Sequence, residues 1–177
     1  MILIWMIAAI LGIVCVDQLT KWIAVVYLQG EPSYPLWEDV LHFTFVQNKG
    51  AAFGMLSESR WVFMIVSTGA IVGILYYLIR YRPQNKWLFW GLTIIVGGGI
   101  GNMIDRVFLG YVIDFIDVTL IDFAVFNVAD SFVTVGACIL IVHLFVDLVK
   151  ELLASRKKKR AGENVTPTET ENGHEGE

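Results

Sequence analysis

Cysteine is nearly absent: only Cys15 and Cys138 occur, and both sit inside apolar runs. A thiol in that setting is a small packed hydrophobe, so neither a disulfide framework nor a cysteine-bound metal is expected. Histidine is equally sparse, with His42, His143 and His174 scattered and no two at ligand spacing, so no metal centre and no cofactor is expected. Basic residues are missing before Lys21, no small-x-small cleavage site follows the first apolar run, and Asp17 and Lys21 interrupt it. Those lacks argue against a secretory signal peptide. Val14 likewise stands where a lipoprotein acceptor site at Cys15 would need a small residue. No nucleic-acid partner is expected.

What the chain has in abundance is apolar surface: of 177 residues 56% are hydrophobic and 13% aromatic, with a mean hydropathy of +0.63. A soluble domain of this length is normally about 45–50% apolar. An integral membrane protein follows. Apolar stretches at 3–28, 61–79, 87–104 and 131–153 are each long enough to cross a ~30 Å hydrocarbon core as a helix. The net charge of −4 conceals segregation, because six of thirteen Lys and Arg fall within 150–160. The short connector 80–86 is also basic, whereas 29–59 carries Glu31, Glu38, Asp39 and Glu58 against Lys49 alone. Excess Lys and Arg mark the cytoplasmic side, so both termini are expected inside and the two long connectors outside. The predicted organisation is a membrane domain over 1–155, followed at 156–177 by a basic stop and a disordered acidic tail too polar to bury a core. The outer connectors, about 29–59 and 107–129, are more than linkers. Leu41, Phe43 and Phe45 alternate with His42, Thr44 and Val46 in the period of a half-buried strand, and a second strand fits 110–118. The predicted fold class is an all-α membrane protein of four transmembrane helices with a small extracytoplasmic β-cradle, which Trp37 and Phe53 would seat at headgroup level.

Five acids, Asp17, Asp105, Asp114, Asp117 and Asp130, lie in or beside these greasy segments. An aspartate at mid-bilayer costs ~2.5–3.5 kcal/mol, so several together imply a shared polar cavity or a place near the interface. Counting along the spans puts Asp17, Asp105 and Asp130 all toward the outer side, and Asp114 sits in the outer connector. Helical spacing of three and four groups Asp17, Thr20 and Lys21, then Asn102, Asp105 and Arg106, then Asn127 and Asp130, on polar faces that point inward. Simple pairing that neutralises buried charge explains Asp17 with Lys21, and Asp105 with Arg106 nearby, but leaves Asp114 and Asp130 over. Two carboxylates close together in a site of low dielectric share a proton, which makes one an acid and the other a base. Such a pair can activate water against a peptide carbonyl with no metal. The run Gly97, Gly98, Gly99 and Gly101 admits a close backbone, either a neighbouring helix or a substrate. A rival reading is a small four-span proton-coupled transporter that uses Asp17, Asp105 or Asp130 as its carrier carboxylate.

Five ordered motifs carry a resemblance over most of the chain: Asp17-Gln-Leu-Thr-Lys21, Asn48-Lys-Gly-Ala-Ala-Phe53, Gly101-Asn-Met-Ile-Asp-Arg106, Val112-Ile-Asp-Phe115 and Phe126-Asn-Val-Ala-Asp130. In these residues the sequence resembles the lipoprotein signal peptidases, the bacterial type II signal peptidases. The resemblance implies a four-helix aspartyl protease of the bacterial inner membrane. It would act as a monomer within the lipid bilayer on diacylglyceryl-modified prolipoproteins, cutting before the lipid-bearing cysteine. It also implies roles: Asp114 and Asp130 as the catalytic dyad, Asn102, Arg106 and Asn48 as substrate-binding, and Asp17, Lys21, Gly50, Asp105 and Asn127 as supporting residues. Ile113 and Ile100 depart slightly from the family pattern, and neither is a dyad position.

Overall fold

Every apolar span becomes a helix that runs past the bounds composition sets. In the computed structural model, which describes residues 1–50 and 60–163, these are α1 (Ile2–Leu28), α2 (Arg60–Tyr81), α3 (Lys86–Phe108) and α4 (Val128–Glu163). Among the described residues these four are long and apolar enough to cross a membrane. Their outer faces stay apolar, with Trp5, Leu11, Trp22, Ile65, Val72 and Ile141 exposed, as lipid-facing helices require. Asn85 starts α3 by accepting from the Trp87 and Leu88 N–H groups, two donors that a helix start otherwise leaves orphaned. α3 stops where Gly110 takes φ +85° and its N–H, with that of Leu109, returns to the Asp105 carbonyl. Glycine adopts this left-handed turn without a Cβ penalty. α4 continues unbroken through the basic run to Glu163, so the first residues of the expected acidic tail are helical. The rest of that tail, together with Phe53 and the end of the Asn48–Phe53 motif, lies outside the described residues.

The two long connectors contribute the strands of one antiparallel sheet in the order β1 (Tyr34–Trp37), β2 (Leu41–Asn48), β3 (Val112–Asp117). β2 is the strand that alternation predicts, and β3 falls within the second strand expected at 110–118 after the turn signal Leu109-Gly110. β1 carries no such signal, because it is short and holds Pro35, which a strand tolerates only at a sheet edge. The register sets Val46 opposite Asp114 and Asn48 opposite Val112, after an irregularity between Phe43 and Val46. Past β3 the chain turns at Asp122 (φ +50°). Phe126 then exchanges backbone hydrogen bonds with Ile116, at 3.0 and 2.8 Å. This bridge delivers the start of α4 to the strand that carries Asp114.

Two apolar clusters bracket the polar region. Met6 and Ile10 of α1, Leu78 of α2, and Phe89 and Val96 of α3 form one. Ala24, Ile113 and Phe115, backed by Phe43 and Phe45, pack the sheet on the end of α1. Asp17 and Lys21 fall between them along α1. The glycines of α3 admit the protein's own helices: an added Cβ would meet Ile13 of α1 at 2.9 Å from Gly97, the Ala129 carbonyl of α4 from Gly98, and the Asp17 carboxylate at 2.5 Å from Gly101. Of the two readings of the glycine run, helix packing is the one the fold uses. Residues Met1–Leu140 make one compact unit and hold the whole site; a second begins at Ile141, where His143 and Lys150 approach Asp147 at 3.4 and 3.7 Å.

Candidate active site

Lys21 is the centre of a buried cluster beneath the sheet. Its Nζ lies 2.9 Å from Asp17, 2.9 Å from Asp105 and 2.9 Å from Asn102 Oδ1, which occupies all three ammonium donors. Asp17 and Lys21 meet as i and i+4 on α1, as their spacing predicts. Asp105 comes from α3, so its pairing with Lys21 joins two helices. Both carboxylates take further donors: Asp17 Oδ1 accepts the Ala129 N–H of α4 at 2.9 Å, and Asp105 Oδ2, the oxygen that faces Lys21, also accepts the Ile113 N–H of β3 at 3.1 Å. One buried ion cluster thus fixes α1, α3, β3 and α4 together, and breaking a single partner would strand a buried charge.

Asp114 and Asp130 lie above it. The motif Asn127-Val-Ala-Asp130 is a capping box at the start of α4: Asn127 Oδ1 accepts the Asp130 N–H at 2.9 Å, and Asp130 Oδ2 accepts the Asn127 N–H at 3.3 Å. The spacing of three, read from sequence as a shared helix face, is therefore a cap. Asn127 Nδ2 reaches Asp114 Oδ1 at 2.6 Å and Asn102 Oδ1 at 3.0 Å. Asn48 Nδ2 donates to Asp114 Oδ2 at 2.9 Å, and Asn102 Nδ2 to Asp130 Oδ1 at 2.7 Å. Each of the four carboxylate oxygens accepts one N–H. Both acids line a cavity of about 520 Å³, whose apolar wall is residues 123–126 and Val135 and whose polar lining adds Asn48, Ser131 and Thr134. Asp114 is 1% exposed. Burial pushes its carboxyl up to about 6; the Asn48 hydrogen bond opposes this, the neighbouring Asp130 charge adds to it, and Asn127 and Lys21 oppose it more weakly.

The fold brings nearly all the sequence candidates together. Gly50, at φ +91°, gives its N–H to Asn48 Oδ1 at 2.9 Å, which turns the Asn48 amide nitrogen toward Asp114. Arg106 donates from Nη1 to the Asn102 carbonyl at 3.5 Å and does not line the cavity that Asp114 and Asp130 share. Thr20 departs from its expected polar face, since its hydroxyl bonds back to the Val16 and Asp17 carbonyls. Asp117 belongs to the sheet, where it accepts from Thr44 Oγ1 at 2.8 Å. Gln18 is the residue that spacing misses. Its Nε2 reaches Asp17 Oδ2 at 3.2 Å, Asp105 Oδ1 at 3.0 Å and the Gly101 carbonyl at 3.2 Å; its sequence signals are a polar amide in an apolar span and its place inside the Asp17–Lys21 motif.

Comparison with known proteins converges on one family. The family model described as Signal peptidase (SPase) II matches residues 9–146. The chain is 42% identical over 143 residues to the lipoprotein signal peptidase of Brevibacillus brevis, covering 81% of this chain and 95% of that one. It is 49% identical over 128 residues to that of Caldanaerobacter subterraneus subsp. tengcongensis, covering 72% and 87%. Two solved bacterial membrane enzymes share the fold: one has a TM-score of 0.74 at 32% identity, covering 81% of this chain and 88% of that one, and the other 0.72 at 33%, covering 78% and 91%. The chain belongs to the signal peptidase II family.

Proposed function

We propose that the protein is an aspartic endopeptidase that removes signal peptides from diacylglyceryl-modified prolipoproteins, cutting before the lipid-bearing cysteine. The observation that carries this reading is the pair Asp114 and Asp130 on one cavity, with every carboxylate oxygen held by an N–H donor. The ionised member takes a proton from water as the oxygen attacks the scissile carbonyl carbon. The protonated member gives its proton to the carbonyl oxygen. Collapse of the tetrahedral intermediate breaks the C–N bond: the proton removed from water goes to the leaving amine, and one hydroxyl of the intermediate returns its proton to the aspartate that had donated to the carbonyl oxygen. Asn48 and Asn102 each have one amide hydrogen beyond those already used, and these, with Arg106, would hold substrate carbonyls. The acyl chains would lie on the apolar helix faces, admitted by lateral diffusion from the outer leaflet. The setting is the bacterial inner membrane, with both termini cytoplasmic and the site toward the outer leaflet.

A transporter needs a carrier carboxylate with a route to both sides. Asp17 and Asp105 suit that poorly, because both are tied to Lys21 at 2.9 Å. The test is cleavage of a lipid-modified precursor by the purified protein and by Asp114→Asn and Asp130→Asn separately. Each variant should lose at least ~100-fold in rate; retained cleavage in either removes that residue from the dyad. Added chelator should leave the rate unchanged, and a loss that zinc restores would overturn the metal-free chemistry.

A further inference from the structure

An asparagine amide serves a carboxylate only when its nitrogen end faces it, so each amide around the dyad must be held against a half-turn flip. Asn48 is held by the Gly50 N–H and Asn127 by the Asp130 N–H, each on Oδ1 at 2.9 Å. Asn102 is held by a charge. The Lys21 ammonium lies 2.9 Å from its Oδ1, and Asn127 Nδ2 lies 3.0 Å from the same oxygen. Flipped, its NH2 group would face an ammonium and a second NH2. Lys21 is 2% exposed and clamped by Asp17 and Asp105 at 2.9 Å each, so it cannot swing aside.

We propose that Lys21 is a positioning residue for the reaction: acting through the Asn102 amide, it keeps the negative charge of the pair on Asp130, which accepts the proton of water, and leaves Asp114 to carry the proton given to the substrate carbonyl oxygen. The inference rests on the aspartyl reading above. An ammonium on the amide oxygen polarises the amide and strengthens the N–H at its other end, here the 2.7 Å bond to Asp130 Oδ1. Asp130 also sits in the first turn of α4 and accepts the Asn127 N–H, where the helix dipole favours an anion. Asp114 is on a strand, where net dipoles are small, and its two amide partners carry no charge on their oxygen ends. The charged groups around Asp130 are Asp114 from β3, Lys21 and Asp17 from α1, and Asp105 and Arg106 from α3. Among them, Lys21 reaches Asp130 through the Asn102 amide, with its ammonium on Oδ1 and the Nδ2 N–H on the carboxylate.

The test uses the full chain in lipid with a lipid-modified precursor. Lys21→Met should lower kcat by ~10- to 100-fold with KM within about twofold, and should move the acid limb of the pH–rate profile to higher pH. Lys21→Met combined with Asp105→Asn keeps the net charge of the buried cluster and should show the same displacement. A loss of kcat with an unmoved profile in both would reduce Lys21 to a structural role and sink the relay. A second measurement needs neither variant: in mildly acidic buffer the infrared band of a protonated buried carboxyl should persist in Asp130→Asn and vanish in Asp114→Asn. The opposite pattern overturns the assignment. Cleavage surviving in either aspartate variant would instead defeat the aspartyl reading itself, so the two failures are distinct.

Discussion

Asp114 binds a proton more tightly in the folded chain than a free carboxyl does, near 6 against 3.8. The folded state therefore holds more protons than the unfolded one between those values, and stability falls as pH rises through about 6. Removing the carboxylate should recover that loss. Asp114→Asn is expected to raise the thermal midpoint at pH 8, corresponding to about 3 kcal/mol, offset in part because its NH2 must face Asn48 or Asn127. The gain should shrink toward pH 4. Thermal unfolding in detergent across this range checks it, and a lower midpoint at pH 8 would mean that the surrounding amides depend on the negative charge. Gly50 gives a second residue-scale test. A side chain at φ +91° costs about 1–2 kcal/mol, so Gly50→Ala should release Asn48 and slow cleavage by ~10-fold, read as initial rates on the lipid-modified precursor. Spacing made Asp17 and Lys21 legible as a pair, because i and i+4 face one way on any helix. It gave Gln18 no role, since a residue at i+1 points elsewhere until α3 arrives beside it.

The glycines of α3 are points of close helix contact, whereas a glycine of α2 stands in open space. Gly98→Ala would drive a Cβ into the Ala129 carbonyl and Val133, whereas Gly73 of α2 has nothing within 4 Å. Overpacking of this kind costs about 1–3 kcal/mol. Gly98→Ala should therefore lower the thermal midpoint by several degrees and displace Asp130, which shares the first turn of α4 with Ala129. Gly73→Ala should be neutral or slightly stabilising. Equal effects from the two would refute the packing account of the glycine run. Strands β2 and β3 were legible because alternation and a turn signal at Leu109-Gly110 are local patterns. The third strand was not, since the pairing of β1 depends on β2 being present and its Pro35 is a discouraging signal. The Asn127–Asp130 cap was half legible: its spacing is local, but whether Asn127 stands inside the helix or before it depends on where the turn from Ile116 sets the chain down.

For the molecule as a whole, the segregation of charge predicts an orientation. With Cys15 and Cys138 replaced, Glu31→Cys should react with an impermeant thiol reagent from the outer side, and Gln84→Cys only after the cytoplasmic side is opened. Labelling in the reverse sense would invert the topology and place the dyad at the wrong leaflet for a lipid-anchored precursor.

Hydrophobic length, charge segregation and ordered polar motifs are local properties, and they determined the membrane setting, the four spans, the family and the names of the acids. The tertiary structure alone decided partnership. Lys21 meets Asp105, Asn102 meets Asp130 and Asn48 meets Asp114 because close helix contacts at glycine, a capped helix start and one backbone bridge between Ile116 and Phe126 bring distant segments within hydrogen-bond reach. Which carboxylate is neutralised and which keeps its charge depends on those partners, and spacing along the chain does not encode them.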